Sequence, residues 1–481
     1  MSLYCYKMKN AFDARDTICA ICTPVGLGSI AVIRVSGPDS FKIVKKLFKP
    51  KNKEKFSKLE PGKIYIGDIS NENKILDESL CIFFASPKSL TGEDVVEVHT
   101  HGGNIVPNSV IKALVFSGAR IANPGEFSFR AYQNGKIDLL KAESIAALIS
   151  SQTEMSAELS IKNISGEISK KFNDIRDLAV TLLAEIEARV DFPEDEVPSI
   201  DKSRIDSIFR SLLADSKRIL NTYIKGRLAI NGLRVSIIGQ PNAGKSTFLN
   251  TILNEDRAIV SPDPGTTRDV LEAAIVHKGL NIIFSDTAGI RKAGGLIEAE
   301  GVRRAKEKVK FSDLTLILVD QAVLRKNPNI ANELFDFVPR GKMLLVASKI
   351  DLYYESIEIK KLENKPSSLT SNQAEPPIGF HLSSKTNQGI DELLDRIYEL
   401  SLGEDPVDFK EGVLTTERQV ELLKKATTHL EAGLNLFKKD EYMEIVSIEI
   451  RAFISTIADI TGEVSNEEIY EKLFSNFCIG K

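Results

Sequence analysis

Gly239-Gln240-Pro241-Asn242-Ala243-Gly244-Lys245-Ser246 decides how this chain is read. The apolar run Val235–Ile238 leads into it, and Thr247–Leu253 leaves it with helical spacing, so the turn joins a strand to a helix. A glycine-rich turn in that context binds phosphate. The glycines let the backbone N–H groups of Asn242, Ala243 and Gly244 approach and wrap an anion. Lys245 brings a positive charge to the β- and γ-phosphates, and Ser246 brings a hydroxyl for Mg2+. The helix start at Ser246 and Thr247 favours negative charge.

Downstream segments narrow the nucleotide to GTP. Asp286-Thr287-Ala288-Gly289 follows the strand Ile282–Phe284; Asp286 would act on Mg2+ through water, and Gly289 would face the γ-phosphate. Thr267, within Gly265-Thr266-Thr267-Arg268-Asp269, offers a second hydroxyl to Mg2+. Guanine requires a carboxylate that accepts from its N1–H and 2-amino group together. Asp351, in Ser348-Lys349-Ile350-Asp351 after the strand Met343–Ala347, fits that need. Ser383-Ser384-Lys385 then offers backbone N–H to the guanine O6. Ser348 stands where such a motif usually has Asn, the residue that ties this loop to the phosphate loop. Guanine specificity with a somewhat looser site is expected. Ile290 follows Gly289 and cannot orient an attacking water, which leaves Glu298 and Glu300 as nearby acidic candidates.

Outward from this site, three textures divide the chain. From Asp16 to about Lys136, strands at Ile30–Val35, Ile64–Ile69, Ser79–Phe84 and Val95–Val98 and a helix at Ile105–Phe116 indicate an α/β domain. Ile161, Ile164, Ile168, Phe172, Ile175, Ala179, Leu182, Ile186 and Val190 step by three or four, the apolar face of one long helix that ends at the acidic run Asp191–Glu196. Ile205, Phe209, Leu212, Ile219 and Tyr223 continue the helical texture. Val446, Ile450, Phe453, Ile457 and Ile460 make a stripe for packing on another helix. The polar stretch Tyr354–Gly379 reads as a surface loop.

The expected fold class is multidomain, α/β and all-α. An N-terminal α/β domain spans 1–137, and a helical domain is split into 138–232 and 403–481. Between the two helical parts lies an inserted P-loop domain at 233–402, with a mostly parallel sheet flanked by helices.

Composition sets the outer bounds. The 481 residues suggest roughly three domains. With 63 Lys+Arg against 67 Asp+Glu the formal charge is -4, so a non-specific nucleic-acid coat is excluded and any RNA contact is local or on a partner. No apolar run approaches the ~20 residues that span a bilayer, and Met1 to Asp16 has no secretory apolar core. Five Cys do not make a disulfide framework. A soluble cytoplasmic protein is expected.

The phosphate loop, Gly265-Thr266-Thr267-Arg268-Asp269, Asp286-Thr287-Ala288-Gly289 with Ile290, and the terminal Phe477-Cys478-Ile479-Gly480-Lys481 together resemble the tRNA modification GTPases of the MnmE (TrmE) family. Asp16-Thr17-Ile18, Ile33–Gly37, Thr91-Gly92-Glu93-Asp94, His101-Gly102-Gly103, Pro124-Gly125-Glu126-Phe127 and Asp191-Phe192-Pro193 extend the resemblance from Asp16 to Lys481.

That resemblance implies a folate-binding, dimerising N-terminal domain and a GTPase domain inserted in a helical one. It implies a homodimer that works with an FAD-containing partner of MnmG type, in a heterotetramer, on C5 of the wobble uridine of certain tRNAs. The one-carbon unit would come from a 5-formyl- or methylene-tetrahydrofolate, and glycine or ammonium would supply nitrogen. It implies K+ in the place of an arginine finger, held by Asn242, Ser261, Asp263 and Thr266, with Glu298 at the water-orienting position. Arg34, Glu97, Lys136 and Lys481 align with folate-binding positions, and Leu27 stands where the family often has Arg. Lys245, Glu298 and Cys478 are the catalytic candidates.

Bland readings apply elsewhere. Cys19 and Cys22 lie three apart on the strand Thr17–Thr23 and so point to opposite faces; no second pair exists, Cys5 and Cys81 being isolated, so the pair reads as structural. Cys478 follows no core pattern and is either a nucleophile or ligand near the folate or a packing residue. His99 and His101 form no metal spacing, and His101-Gly102-Gly103 reads as a turn. Two other functions compete. A ribosome-assembly GTPase could use the helical arms on rRNA, but no Gly-x-x-Gly RNA-binding loop is evident. A membrane-remodelling GTPase would need a basic–apolar paddle that the helices lack.

Overall fold

The computed structural model describes residues 16–24, 26–52, 60–72, 74–191, 202–253, 272–286, 303, 306–327, 330, 336, 338–339, 342–352, 380–403, 409, 411–463, 474, 477 and 480. They group into two units: residues 1–146, 164–209 and 428–481 in the first, and 147–163 with 210–427 in the second.

The first unit opens with β1 (Ile18–Ile21), β2 (Ile30–Ser36), α1 (Ser40–Leu47), β3 (Phe48–Pro50), β4 (Ile64–Asn71), β5 (Lys74–Phe84), β6 (Val95–His101), α2 (Ile105–Phe116), β7 (Arg120–Ile121) and α3 (Glu126–Gln133). Its sheet has the order β3-β4-β5-β6-β2-β1-β7. Neighbours are antiparallel except β1 with β7. Alternation assigns the faces. Ile33 pairs with Val98 and Val35 with Val96, and these side chains bury together with Cys81 and Phe83 beneath residues of α1 and α2. The intervening residues face the other way, so Arg34 stands directly across from Glu97.

The expected helical stripe is not one helix. The chain continues as α4 (Leu139–Ile149), α5 (Glu154–Ile164) and α6 (Glu167–Asp191). Gly166, with φ +95°, takes the backbone out of the right-handed region between α5 and α6. The 3.6-residue period passes through this break because Ile164 and Ile168 keep the spacing. Ile168, Phe172, Ile175, Ala179, Leu182 and Ile186 are buried along α6, whereas Ile161 is exposed on α5.

Next come α7 (Lys202–Asn221) and α8 (Tyr223–Asn231), then the strands and helices of a nucleotide-binding layer. These are β8 (Leu233–Gly239), α9 (Lys245–Leu253), β9 (Glu272–His277), β10 (Leu280–Asp286), β11 (Leu314–Asp320), α10 (Gln321–Lys326), β12 (Met343–Ser348), β13 (Phe380–His381) and α11 (Ile390–Leu402). The sheet order is β13-β12-β11-β8-β10-β9, parallel throughout except for the β9–β10 hairpin. Leu314–Val319 is buried on both faces, which is why the strand reads as an unbroken apolar run. Val235, Ile237, Leu316 and Leu318 pack with Phe248 and Ile252 of α9 and Leu393 and Ile397 of α11. Ile238, Ile317 and Val319 face the opposite layer, with Val323 and Leu324 of α10.

The chain returns to helices with α12 (Glu417–Lys438) and α13 (Met443–Thr461). Val446, Ile450, Phe453, Ile457 and Ile460 are all buried, and α13 packs along α6 as its stripe predicts. Phe474 is fully buried and stacks with Phe129, Tyr132 and Phe477, which joins the C-terminal segment to α3. The stretch Tyr354–Gly379 and the acidic run after Asp191 lie outside the described residues. Among the described residues no helix is long and apolar enough to cross a membrane.

Candidate functional site

The phosphate loop sits at the carboxyl end of β8, the strand between β11 and β10 in the parallel sheet, where open α/β sheets place their ligands. A Cβ on Gly239 would lie 2.2 Å from Leu318 O, so only glycine lets the strand turn there. Asn242 and Gly244 both have positive φ, +64° and +87°, and bend the loop back toward α9. Lys245, only 7% exposed, donates from Nζ to the carbonyls of Gly239 and Gln240 at 2.8 Å each. Its charge is therefore held across the loop. Ser246 and Thr247 are exposed on the first turn of α9. Asp286 closes β10 in register with Ile237 of β8.

The segments expected to read the base are hydrogen-bonded to this loop and to each other. Ser348 is buried, and its Oγ donates to Ala243 O at 2.7 Å, with Val319 O at 3.3 Å. The serine thus ties its loop to the phosphate loop, the task expected of the missing Asn. Lys349, at φ +64°, pairs with Asp320 at 3.0 Å. Asp351 Oδ1 accepts from Ser383 Oγ at 2.7 Å. Ser383 is fully buried and its Oγ in turn accepts from the N–H groups of Lys385 and Thr386 at 3.3 Å. Thr251 of α9 lies 2.9 Å from Ser384 O.

On the face of the N-terminal sheet opposite α1 and α2, Arg34 donates to Glu97 Oε1 through Nε at 3.0 Å and Nη2 at 2.9 Å. Its Nη1 reaches Gly480 O at 3.3 Å, and the guanidinium lies 5.6 Å from the Phe127 ring centroid. Cys22 Sγ donates to the same Gly480 carbonyl at 3.1 Å. The structure therefore brings Arg34, Glu97 and Gly480 together, and Lys136 donates instead to Pro87 O at 2.9 Å. Cys19 is buried, and burial pushes its thiol up to about 12 despite the opposing charge of Arg120. Among the described residues no group of His, Cys, Asp or Glu could hold a metal ion.

Ser261, Asp263, Gly265, Thr266, Thr267, Thr287, Ala288, Gly289, Ile290, Glu298, Glu300, Cys478, Lys481, Cys5 and the side chain of Asp286 lie outside the described residues.

Sequence reasoning missed three features. Asp320 and Thr251 carry no motif of their own. The third is an ionic cluster in which Arg130 bonds Asp16, Glu93 and Glu126, and Arg120 bonds Asp16 and Glu126. Ser36 Oγ lies 2.7 Å from both Thr91 Oγ1 and Glu93 Oε2, which extends the cluster to β2. Burial would raise the Asp16 carboxyl, but hydrogen bonds and charge from Arg120 and Arg130 outweigh it and hold the group below its ordinary range. The only signal in the sequence was the resemblance itself, because Asp16, Thr91, Glu93 and Glu126 all lie in motifs that carry it.

A phosphate loop on a central parallel strand, joined by hydrogen bonds to a Lys-x-Asp loop that carries a guanine-type carboxylate, defines a P-loop GTPase. The family described as "MnmE helical domain" matches residues 139–478, and the one described as "GTP-binding protein TrmE N-terminus" matches residues 17–136. The tRNA modification GTPase MnmE of Natranaerobius thermophilus is 35% identical over 468 residues, 97% of this chain and 99% of its own. That of Carboxydothermus hydrogenoformans is 34% identical over the same shares. The chain belongs to the MnmE family of tRNA modification GTPases. Among solved structures, the Era protein of Aquifex aeolicus is 23% identical over 41% of this chain and 66% of its own, with a TM-score of 0.25.

Proposed function

We propose that the protein is a potassium-dependent GTPase that modifies tRNA in the cytoplasm, acting as a homodimer with an FAD-containing partner of MnmG type. It adds an aminomethyl-type (carboxymethylaminomethyl) group to C5 of wobble uridine 34, using a one-carbon unit carried by tetrahydrofolate. The observation that carries this reading is the Arg34–Glu97 pair with Gly480 O against the guanidinium. Two residues at positions the resemblance links to folate lie beside Gly480 of the terminal motif.

The chemistry of the residue types at these positions supports the reading. Glu97 gives Oε1 to Arg34, while Oε2 makes no hydrogen bond among the described residues and lies 3.6 Å from His99 Nε2. An oxygen of that kind suits the row of N–H donors on a pterin, and Arg34, Lys136 and Lys481 suit its glutamate tail. In the nucleotide site Lys245 would hold the β- and γ-phosphates and Asp351 would read guanine, beside Ser383, Ser384 and Lys385. Ser246 and Thr267 would hold Mg2+, and Asn242, Ser261, Asp263 and Thr266 would hold K+. When bound, K+ offsets charge that develops between the β- and γ-phosphates. Glu298 would orient the attacking water, and Cys478 would act near the folate. The domain division at about 137, 232 and 402 belongs to the same proposal.

The test is nucleoside analysis of tRNA from cells with and without this gene, by chromatography and mass spectrometry. Loss of the C5 substituent from wobble uridine is expected. Unchanged nucleosides, with a paralogue excluded, would overturn the reading and favour ribosome assembly.

A further inference from the structure

Thr251 lies six residues beyond Lys245 on α9, outside every motif of the site. Its Oγ1 is 2.9 Å from Thr247 O in its own helix and 2.9 Å from Ser384 O in the base loop. A hydroxyl has one proton to give, so the two carbonyls compete for it. The bond within the helix is common for threonine and needs no explanation. The bond to Ser384 spans 133 residues and joins the helix that begins with Lys245 to the loop that meets guanine O6.

Other anchors of that loop use Ser383: its Oγ donates to Asp351 at 2.7 Å and accepts from the N–H groups of Lys385 and Thr386 at 3.3 Å, and its N–H donates to Gln388 O at 3.0 Å. Ser384 N–H has no hydrogen-bond partner among the described residues, so it is a donor available to an acceptor in the site. Its peptide plane is joined to the next, which holds the Ser384 carbonyl, through φ and ψ of Ser384; with Ser383 anchored on one side and Thr251 on the carbonyl at the other, both torsions are limited and so is the direction of the N–H.

We propose that Thr251 is a positioning residue for guanine recognition: it fixes the Ser384 carbonyl and so aims the Ser384 N–H at O6 of the base. This rests on the reading of the site as a guanine site. It also separates two halves of base selection. Asp351 reads N1–H and the 2-amino group, while the loop held by Thr251 reads the 6-oxo group.

The full-length protein can be titrated with GDP, ADP, 6-thioguanosine diphosphate and inosine diphosphate. The thio analogue weakens the acceptor at position 6, and inosine lacks the 2-amino group. In Thr251→Val, which keeps the shape and loses the donor, the preference for GDP over the thio analogue should fall about fivefold, the effect of one net hydrogen bond. The preference over inosine diphosphate should stay as in the parent. Thr251→Ser, which keeps the hydroxyl, should restore the thio discrimination even if thermal stability drops. Equal loss of affinity for all guanine-type ligands, or an unchanged thio ratio in Thr251→Val, would overturn the positioning role and leave the guanine site standing. A parent protein that binds GDP and ADP alike would overturn the guanine reading and this inference with it.

Discussion

Ser348 Oγ donates to Ala243 O over 2.7 Å, so one buried hydroxyl connects the loop that carries Asp351 to the loop that wraps phosphate. Removing it in Ser348→Ala strands the Ala243 carbonyl, a loss of about 1–3 kcal/mol. Weaker GDP affinity by roughly tenfold is expected in fluorescence competition. Ser348→Asn should bind at least as tightly as the parent, since an amide carries two donors where serine has one.

The Asp16 carboxyl is held below its ordinary value of 3.8 by Arg120 and Arg130. A depressed carboxyl stabilises the fold fully above the unfolded-state value and loses that contribution as pH falls through the folded value. Thermal melts at successively lower pH should therefore show stability falling below about pH 4. Asp16→Asn should be less stable at neutral pH and flatter on acidification. Parallel curves for variant and parent would show that the cluster does not couple to pH.

Phe474 is fully buried against Phe129 and Tyr132. Phe474→Ala should cost about 3–5 kcal/mol locally. Limited proteolysis, read by mass spectrometry, should then cut the C-terminal segment faster while the nucleotide site keeps its GDP affinity. Unchanged cleavage would mean that this side chain does not hold the segment.

Hydrolysis in KCl should be far faster than in NaCl at equal ionic strength. Asn242→Ala should lower the rate in KCl toward the rate in NaCl. Equal rates of the parent in both salts would remove potassium from the proposal and leave a GTPase activated in some other way.

Much of this was legible in the sequence where one segment carries its own evidence. Gly239–Ser246 needs only its neighbours to be read, and the strands β2, β4, β5 and β6 announce themselves by alternation and turn residues. Arg34 and Glu97 became meaningful through the resemblance, and only the sheet register shows that they are directly opposed. The break at Gly166 escaped because hydrophobic period reports which residues are apolar, not where the backbone reverses sign. Asp320, Thr251 and the Asp16–Arg130 cluster escaped for another reason. Each member is a common polar residue whose partner is remote in the chain, and no local pattern distinguishes a paired charge from a solvated one.

The packing of α6 on α13 sets an order of events during synthesis. Asp191 leaves the ribosome roughly 250 residues before Met443, a delay on the order of 10–50 s at ordinary elongation rates. The nucleotide-binding layer, whose strands and helices all lie between them, is complete within that interval. α6 spends that interval without α13, the helix it packs along. The nascent chain thus carries every strand and helix of the GTP-binding layer before α13, the helix that packs along α6, has been made.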